Sequence, residues 1–189
     1  HWCRPKEARR HSVGKALPGI EVKIVDASGR VCGPNEDGEL RLRGANMMQG
    51  YFKLREETAG AFDEEGYLRT GDMAREDADG FLYITGRLKE MMIIGGENVF
   101  PREIEEVLNK HESVAGSAVI GVKDESRGEV PVAFVELVEG ARFDETSLRS
   151  HCRKFLAQYK VPRDIHHLEQ LPRNPTGKIV RRELRGVLE

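Results

Sequence analysis

The first half of the chain alternates apolar and polar residues in the way that half-buried β-strands do. Glu21–Val25 and Gly38–Gly44 both have this two-residue period. The Asp79–Gly80 pair lies between two further strand-like runs, and Asp-Gly is a strong signal for a hairpin turn. A short helix is predicted over residues 55–62. The pattern therefore predicts antiparallel β structure with little helix in this half.

The second half mixes helical and strand-like periods. Ile104, Val107 and Leu108 recur at helical spacing behind Pro101, a favourable first residue for a helix, which is predicted to run to Lys110. Two runs rich in β-branched residues, at 117–122 and 132–137, are expected to pair. The other predicted elements are a strand at 91–94, a helix capped by Asp144 with Leu148, Cys152 and Phe155 on one face, a strand near 165–168 and a helix over 180–188. The fold class predicted for the whole chain is α+β.

Composition argues against several classes of protein. Charged residues make up 33% of the 189 residues, but the formal net charge is only -2, which argues against a nucleic-acid-binding surface. No apolar run approaches the roughly 20 residues that cross a bilayer, so no transmembrane segment is predicted. The three cysteines, Cys3, Cys32 and Cys152, are widely spaced and form no C-x-x-C pair. This spacing predicts neither disulfides nor a zinc site, and it favours a cytoplasmic location.

Asp72 and Arg87 flank the predicted hairpin and are candidates for binding a small polar ligand. A carboxylate at a Thr-Gly-Asp turn suits the two hydroxyls of a ribose, because it accepts two hydrogen bonds at once. The Arg87 guanidinium offers five donors for ribose or phosphate oxygens. Each residue also has a simpler interpretation, a turn cap for Asp72 and a surface salt bridge for Arg87.

Glycines mark two further candidate sites. Lys178 follows Gly177, which places a long cation on a loop, although it also belongs to a run of basic residues that suits a solvated tail. The segment around Gly177 and Lys178 is not a phosphate-binding P-loop, because the G-x-x-x-x-G-K-[ST] spacing is absent. Gly95 and Gly96 leave space for a ligand close to the backbone, or they simply form a turn between a strand and a helix. The histidines and cysteines have no metal-ligand spacing, so no metal site is predicted within the chain.

Four motifs occur in a recognisable order: Y-L-R-T-G-D at 67–72, G-R-L-K-E at 86–90, I-I-G-G-E-N-V-F-P-R-E-I-E at 93–105 and P-R-N-P-T-G-K at 172–178. In order and spacing they resemble the signature motifs of the adenylate-forming enzymes. This superfamily comprises the AMP-forming acyl-CoA synthetases, the adenylation domains of peptide synthetases and firefly luciferase. The resemblance covers nearly the whole chain, but only the last third or so of a typical member.

The resemblance implies a division of the chain. Residues 1–87 would end a large adenylation domain with an antiparallel, β-barrel-like subdomain, and residues 88–189 would form a small, mobile α+β C-terminal domain. Lys89 matches the hinge position about which that small domain rotates, where many relatives carry Asp. Hinge residues absorb a change in backbone dihedrals and need not contact a ligand.

The resemblance also implies residue roles. Lys178 would be catalytic, stabilising charge as a substrate carboxylate meets the α-phosphate of ATP. Asp72 and Arg87 would bind the nucleotide. Two further pairs would serve CoA: Gly95 and Gly96 would line the channel for its pantetheine arm, and Tyr159 and Arg163 would hold its nucleotide.

The implied reaction is that of an acid–CoA ligase. A carboxylic acid, expected to be a fatty acid, would react with ATP to give an acyl-adenylate, and the acyl group would then pass to CoA. Mg²⁺ would accompany ATP, with its protein ligand outside this chain, and the isolated chain is expected to be inactive. Two alternatives stay open: a peptide-synthetase-type adenylation domain that loads a carrier protein, and a truncated fragment that folds without catalysing anything.

Overall fold

The computed structural model describes residues 8–188, which form nine strands and four α-helices. Cys3 and the start of the predicted irregular entry segment lie outside the described residues. The chain divides between Lys89 and Glu90 into two units. The domain boundary expected from the sequence falls between Arg87 and Leu88, and the assignment of the two halves to a large and a small domain stays a prediction.

The first unit contains an antiparallel sheet and one short helix. Its elements are β1 (Ile20–Val25), β2 (Gly38–Gly44), α1 (Arg55–Ala61), β3 (Leu68–Glu76) and β4 (Leu82–Arg87). The strands are paired in the order β1-β2-β3-β4, and within the described residues the sheet is open at both edges and forms no closed barrel. The inward positions of the alternating pattern, among them Ile24, Leu40, Ala74 and Leu82, form its core.

Aspartate-based turns connect the strands of this sheet. The Asp77 carboxylate accepts hydrogen bonds from the backbone N–H groups of Asp79 and Phe81, both at 3.0 Å. Gly80 adopts a φ of +81°, a conformation that favours glycine. The hairpin predicted from the Asp-Gly pair is therefore confirmed, and it brings β3 against β4.

The second unit is built on a five-stranded sheet. After a single 3₁₀ turn at Leu88–Glu90, its elements are β5 (Met92–Ile94), β6 (Glu97–Val99), α2 (Pro101–Leu108), β7 (Val114–Asp124), β8 (Gly128–Leu137), α3 (Glu145–Phe155), β9 (Asp164–His167) and α4 (Arg181–Arg185). The strand order is β6-β5-β8-β7, and β9 pairs with β8 in parallel. The predicted pairing of the two β-branched runs is confirmed as the long β7–β8 hairpin. Mixed α+β architecture with mainly antiparallel sheets is thus confirmed for the chain.

Both faces of this sheet are covered, which explains the unbroken apolar run in β8. Val119, Ala133 and Val135 face the cluster formed by α2 and α3. The alternate positions, Ala118, Ile120, Val132 and Phe134, pack with Leu171 and with Leu184 of α4. A strand buried on both faces has no polar alternation to keep. The sheet therefore holds α2 and α3 on one side and α4 on the other.

The start of helix α3 agrees with the prediction, whereas the end of helix α4 does not. The Asp144 cap is confirmed, because its carboxylate accepts a hydrogen bond from the Ser147 N–H at 3.0 Å. Leu148, Cys152 and Phe155 all lie in α3 as predicted, but only the first two are buried: Phe155 ends the helix and is 64% exposed. Helix α4 is shorter than the predicted 180–188, because Gly186 follows its last residue. In residues 8–188 no helix is both long and apolar enough to cross a membrane.

Candidate functional site

Asp72 and Arg87 are direct cross-strand partners in the first unit. Their Cα atoms are paired in the β3–β4 register, and Arg87 Nε lies 2.8 Å from Asp72 Oδ1. The Arg87 side chain is 61% exposed and that of Asp72 is 28% exposed. The two predicted ligand-binding residues are thus brought together. The simpler interpretation of Arg87 also holds, since its salt-bridge partner is Asp72 itself.

Thr70, Gly71 and Asp72 lie within strand β3, so the prediction of a turn at these residues is wrong. Thr70 Oγ1 donates to the Leu40 carbonyl at 2.7 Å and accepts from the Asp72 N–H at 3.1 Å. Gly71 has a φ of +69°. No backbone N–H of the described residues donates to the Asp72 carboxylate, so the carboxylate is not used up as a turn cap. One carboxylate oxygen contacts Arg87, and the other has no hydrogen-bond or ion-pair partner among the described residues.

A β-bulge sits beside this pair. The β3–β4 register shifts after Met73, which pairs with Gly86, while Ala74 pairs with Ile84. Thr85 is the extra residue, and its Oγ1 is buried without a hydrogen-bond partner in the described structure. Bulges commonly redirect side chains next to functional sites. Here the bulge at Thr85 lies between the regularly paired first part of β4 and Arg87 at the end of the strand.

Lys89, the predicted hinge residue, lies in the 3₁₀ turn at Leu88–Glu90. It is exposed, and its ammonium forms no ion pair with any described residue. Leu88 beside it is exposed as well. The side chains of these two residues therefore place little constraint on the backbone at the division between the units.

Lys178 lies on an ordered loop that the Asn174 side chain organises. Asn174 Oδ1 accepts hydrogen bonds from Thr176 N, Thr176 Oγ1 and Lys178 N at 3.1, 2.8 and 2.8 Å. The Asn174 N–H donates to the Lys178 carbonyl at 2.8 Å, and Gly177 has a φ of +82°. The Lys178 side chain is exposed and forms no ion pair within residues 8–188. The backbone of this loop is fixed while its cation is free.

Gly95 and Gly96 form the turn of the β5–β6 hairpin. Their φ values are +60° and +89°, and no atom lies within 4 Å of the place where a Cβ would stand on either residue. Conformation, and not crowding, thus demands glycine here. Gly96 also lines an open cavity of about 900 Å³ beside exposed Ile93 and the β7–β8 turn. The surface around the glycines is open enough for a ligand.

Tyr159 and Arg163 line a second cavity of about 390 Å³, which contains four arginines. Arg163 is held by Asp124 at 3.3 Å and by Asp164 at 2.9 Å. The further arginines around this cavity, which sequence reasoning missed, are Arg127, Arg149 and Arg153. The four-residue spacing of the last two on α3 was an available signal, since it puts both on one helix face.

An ion cluster in the second unit was also missed. Arg181 Nη2 lies 2.9 Å from both carboxylate oxygens of Glu105, and Arg181 Nη1 lies 3.0 Å from Glu90. Arg181 looked like one of several tail cations. Glu105 gave a signal, because it lies four residues after Pro101 on the apolar stripe of α2, where a carboxylate needs a partner.

Two family models match the chain. Residues 2–52 match the AMP-binding enzyme model, and residues 103–178 match the model of the AMP-binding enzyme C-terminal domain. The second match ends at Lys178 and includes Tyr159 and Arg163. The two matches, in this order, define a chain of the AMP-binding class with that family's C-terminal domain in its second half.

Similar proteins support the same assignment. The chain is 41% identical over 180 residues to the sulfoacetate–CoA ligase of Cupriavidus necator, covering 95% of the chain and 35% of that protein. It is 44% identical over 175 residues to the 2-succinylbenzoate–CoA ligase of Bacillus pumilus, covering 93% and 35%. The chain therefore spans about a third of the length of the curated relatives that it matches.

Solved structures show the same fold. The o-succinylbenzoate CoA synthetase of Bacillus subtilis, in complex with its acyl-adenylate intermediate, superposes with a TM-score of 0.87 at 38% identity, covering 93% of the chain and 35% of that structure. ATP-bound MatB from Rhodopseudomonas palustris gives a TM-score of 0.89 at 34% identity, covering 97% and 37%. The chain belongs to the AMP-binding, or adenylate-forming, enzyme family. The resemblance drawn from the four motifs is thereby confirmed.

Proposed function

We propose that the chain supplies the C-terminal catalytic elements of an AMP-forming acid–CoA ligase. In the first step a carboxylate oxygen of the acid attacks the α-phosphorus of ATP and pyrophosphate leaves, giving an acyl-adenylate. In the second step the CoA thiolate attacks the acyl carbonyl carbon and AMP leaves, giving the thioester. The observation that carries the proposal is the Lys178 loop, which presents an unpaired cation from a fixed backbone.

Lys178 is assigned to the first step. The attacking carboxylate and the α-phosphate are both anions and repel each other. An ammonium between them stabilises the charge that they share in the transition state more than the charge on either anion alone. A long side chain on an exposed loop can reach a site formed by other parts of a protein. Because the loop backbone is already ordered by Asn174, little backbone entropy is lost when the lysine binds.

Asp72 and Arg87 are assigned to the nucleotide. The Asp72 oxygen that does not contact Arg87 accepts hydrogen bonds from the ribose hydroxyls. The guanidinium, fixed through Nε, keeps its other N–H groups for ribose or phosphate oxygens. The cross-strand register supports this role, because it fixes both side chains at one point of the sheet. Mg²⁺ is proposed to come with ATP, and no group of three His, Cys, Asp or Glu side chains in residues 8–188 is placed to hold a metal.

Lys89 is proposed as the hinge between the two steps. Exposed Leu88 and unpaired Lys89 lie where the chain passes from one unit to the other. Neither exposed side chain anchors the backbone there, so a change of its dihedrals would let the second unit present Lys178 in one step and the Gly95–Gly96 turn in the other.

CoA is favoured over a carrier protein as the acceptor. The cavity beside Tyr159 contains four arginines, a composition that suits the phosphates of the CoA nucleotide. A carrier protein presents phosphopantetheine without that nucleotide. Arg153, exposed and without an ion pair among the described residues, serves to test this. Arg153→Met is expected to raise the KM for CoA several-fold and to leave the KM for pantetheine unchanged; an equal rise for both would contradict the assignment.

The acid is proposed only as a carboxylic acid. A fatty acid was the expectation from the sequence, whereas the relatives described above are named as ligases of sulfoacetate and 2-succinylbenzoate. Acid specificity therefore has to be read from a panel that contains all three kinds of acid.

A chimera provides the main test. The segment of the Bacillus pumilus ligase that matches this chain is replaced by the chain itself, and adenylation is followed by exchange of labelled pyrophosphate into ATP with 2-succinylbenzoate. Lys178→Ala is expected to lower the exchange about 100- to 1,000-fold and to spare thioester formation from preformed acyl-adenylate. Lys110→Ala, which removes another exposed lysine, is the control. Loss of both steps in Lys178→Ala, or of neither, would overturn the proposal.

A further inference from the structure

Arg181 is held by two carboxylates within the second unit. Its Nη2 contacts both oxygens of Glu105 and its Nη1 contacts Glu90. Glu105 Oε1 also accepts a hydrogen bond from the Val119 N–H in β7 at 2.8 Å. The Arg181 guanidinium therefore connects helix α4 to the start of the unit and to helix α2, and Glu105 in turn connects α2 to strand β7.

The cluster lies partly inside the protein. The side chains of Glu105 and Arg181 are 12% and 27% exposed. Burial raises the pKa of the Glu105 carboxyl, and the Arg181 guanidinium opposes that rise. A buried carboxylate that loses its cation is strongly destabilising, so these contacts are expected to be maintained while the unit is folded.

The positions of these residues along the chain give the cluster its meaning. Glu90 is the first residue of the second unit and follows Lys89 directly. Arg181 begins α4, three residues after Lys178. One turn later in α4, Leu184 is fully buried against the sheet. The residue after the proposed hinge and the helix after the proposed catalytic loop are thus joined through a single side chain.

We propose that Arg181 is a positioning residue that fixes the Lys178 loop to the hinge side of the second unit. A rotation at residues 88–90 then moves the Lys178 cation together with the rest of the unit. This proposal rests on the proposed function. Arg181 need not touch a substrate, and it acts through Lys178. Its removal should therefore lower the rate of adenylation without changing the binding of ATP or of the acid.

The first test is hydrogen exchange in the 189-residue chain. Arg181→Met is expected to speed the exchange of the Lys178 and Val180 amides about tenfold, because their loop loses its anchor. Amides of the β7–β8 hairpin should keep their protection. Arg182→Met is the matched control, since Arg182 is the next residue, is exposed and has no ion pair within the described part of the chain. It should change the two loop amides by less than about twofold.

The second test is kinetic and uses the chimera. Glu90→Gln removes the charge on the hinge side and leaves the Arg181–Glu105 pair, so the loop amides should stay protected. The kcat of pyrophosphate exchange should nevertheless fall several-fold, with the KM values for ATP and acid unchanged. Arg181→Lys keeps the charge but cannot span both carboxylates. Its kcat of pyrophosphate exchange should lie between that of the wild type and that of Arg181→Met.

The outcomes separate the two proposals. Loop amides in Arg181→Met that exchange no faster than in Arg182→Met would overturn the positioning role. If Arg181→Met does not fold, Glu90→Gln and Arg181→Lys decide, and wild-type kcat in both would overturn it as well. In either case full loss of adenylation in Lys178→Ala would leave the proposed function standing. Wild-type adenylation in Lys178→Ala would instead remove the proposed function itself.

Discussion

Asn174 offers the sharpest test of how the Lys178 loop works. Its Oδ1 accepts three hydrogen bonds, and Asn174→Ala removes all of them. A hydrogen bond contributes about 0.5–1.5 kcal/mol net, and bonds of exposed groups lie at the low end of that range. The free energy that favours the ordered loop should therefore fall by roughly 1–2 kcal/mol, about a 5- to 30-fold change in the ratio of ordered to disordered loop.

The assay measures both steps in the chimera. Pyrophosphate exchange should fall by up to about that factor in Asn174→Ala, while thioester formation from preformed acyl-adenylate serves as an internal control and stays unchanged. Thr176→Ala removes only the hydroxyl hydrogen bond and should lose much less. The melting temperature should stay constant, because an exposed loop opens without global unfolding. Unchanged exchange in Asn174→Ala, or an equal loss in both steps, would refute the view that loop order positions the lysine.

Two further predictions concern groups outside the proposed site. Hydrogen bonds from Ser28, and then from the Arg30 backbone, lower the pKa of Asp26 to about 2 from an ordinary value of 3.8. A lowered pKa contributes stability that is present above the ordinary value and is lost as the pH falls through about 2. The difference in melting temperature between the wild type and Asp26→Asn should therefore shrink between pH 4 and pH 2; a constant difference would contradict this. Burial raises the pKa of the Cys152 thiol to about 11, so iodoacetamide at pH 8 should leave Cys152 unmodified in the folded chain and react with it in urea, which peptide mapping can follow.

Elements specified by neighbouring residues could be predicted from the sequence. The Asp77–Gly80 turn and the Asp144 cap each depend on hydrogen bonds between residues no more than four positions apart. The β7–β8 hairpin also follows from local signals, since two β-branched runs flank a short polar loop. For such elements the chemistry that forms the structure is contained in the segment itself.

The geometry of the candidate site depended on longer-range information. The Asp72–Arg87 contact requires a particular strand register and a bulge at Thr85, which neither residue specifies. Glu105 and Arg181 are 76 positions apart, and their pairing depends on how α4 packs on the sheet. Phe155 shows the same limit at a helix end, because helical spacing alone cannot tell where neighbouring elements stop covering a face. Residue types could thus be selected from the motifs, while their partners could not.

The contacts of Lys178 bear on how a cation could enter and leave an active site between two reaction steps. One way is for its loop to unfold, and the other is for the whole unit that carries it to rotate. Loop unfolding would require the hydrogen bonds of Asn174 to break in each cycle, together with any restraint from Arg181. Rotation takes place by a change of backbone dihedrals at residues 88–90, where Leu88 and Lys89 are exposed. Because rotation leaves the hydrogen bonds of the Lys178 loop intact, we expect the two states of the proposed enzyme to differ at the hinge and to share the same Lys178 loop.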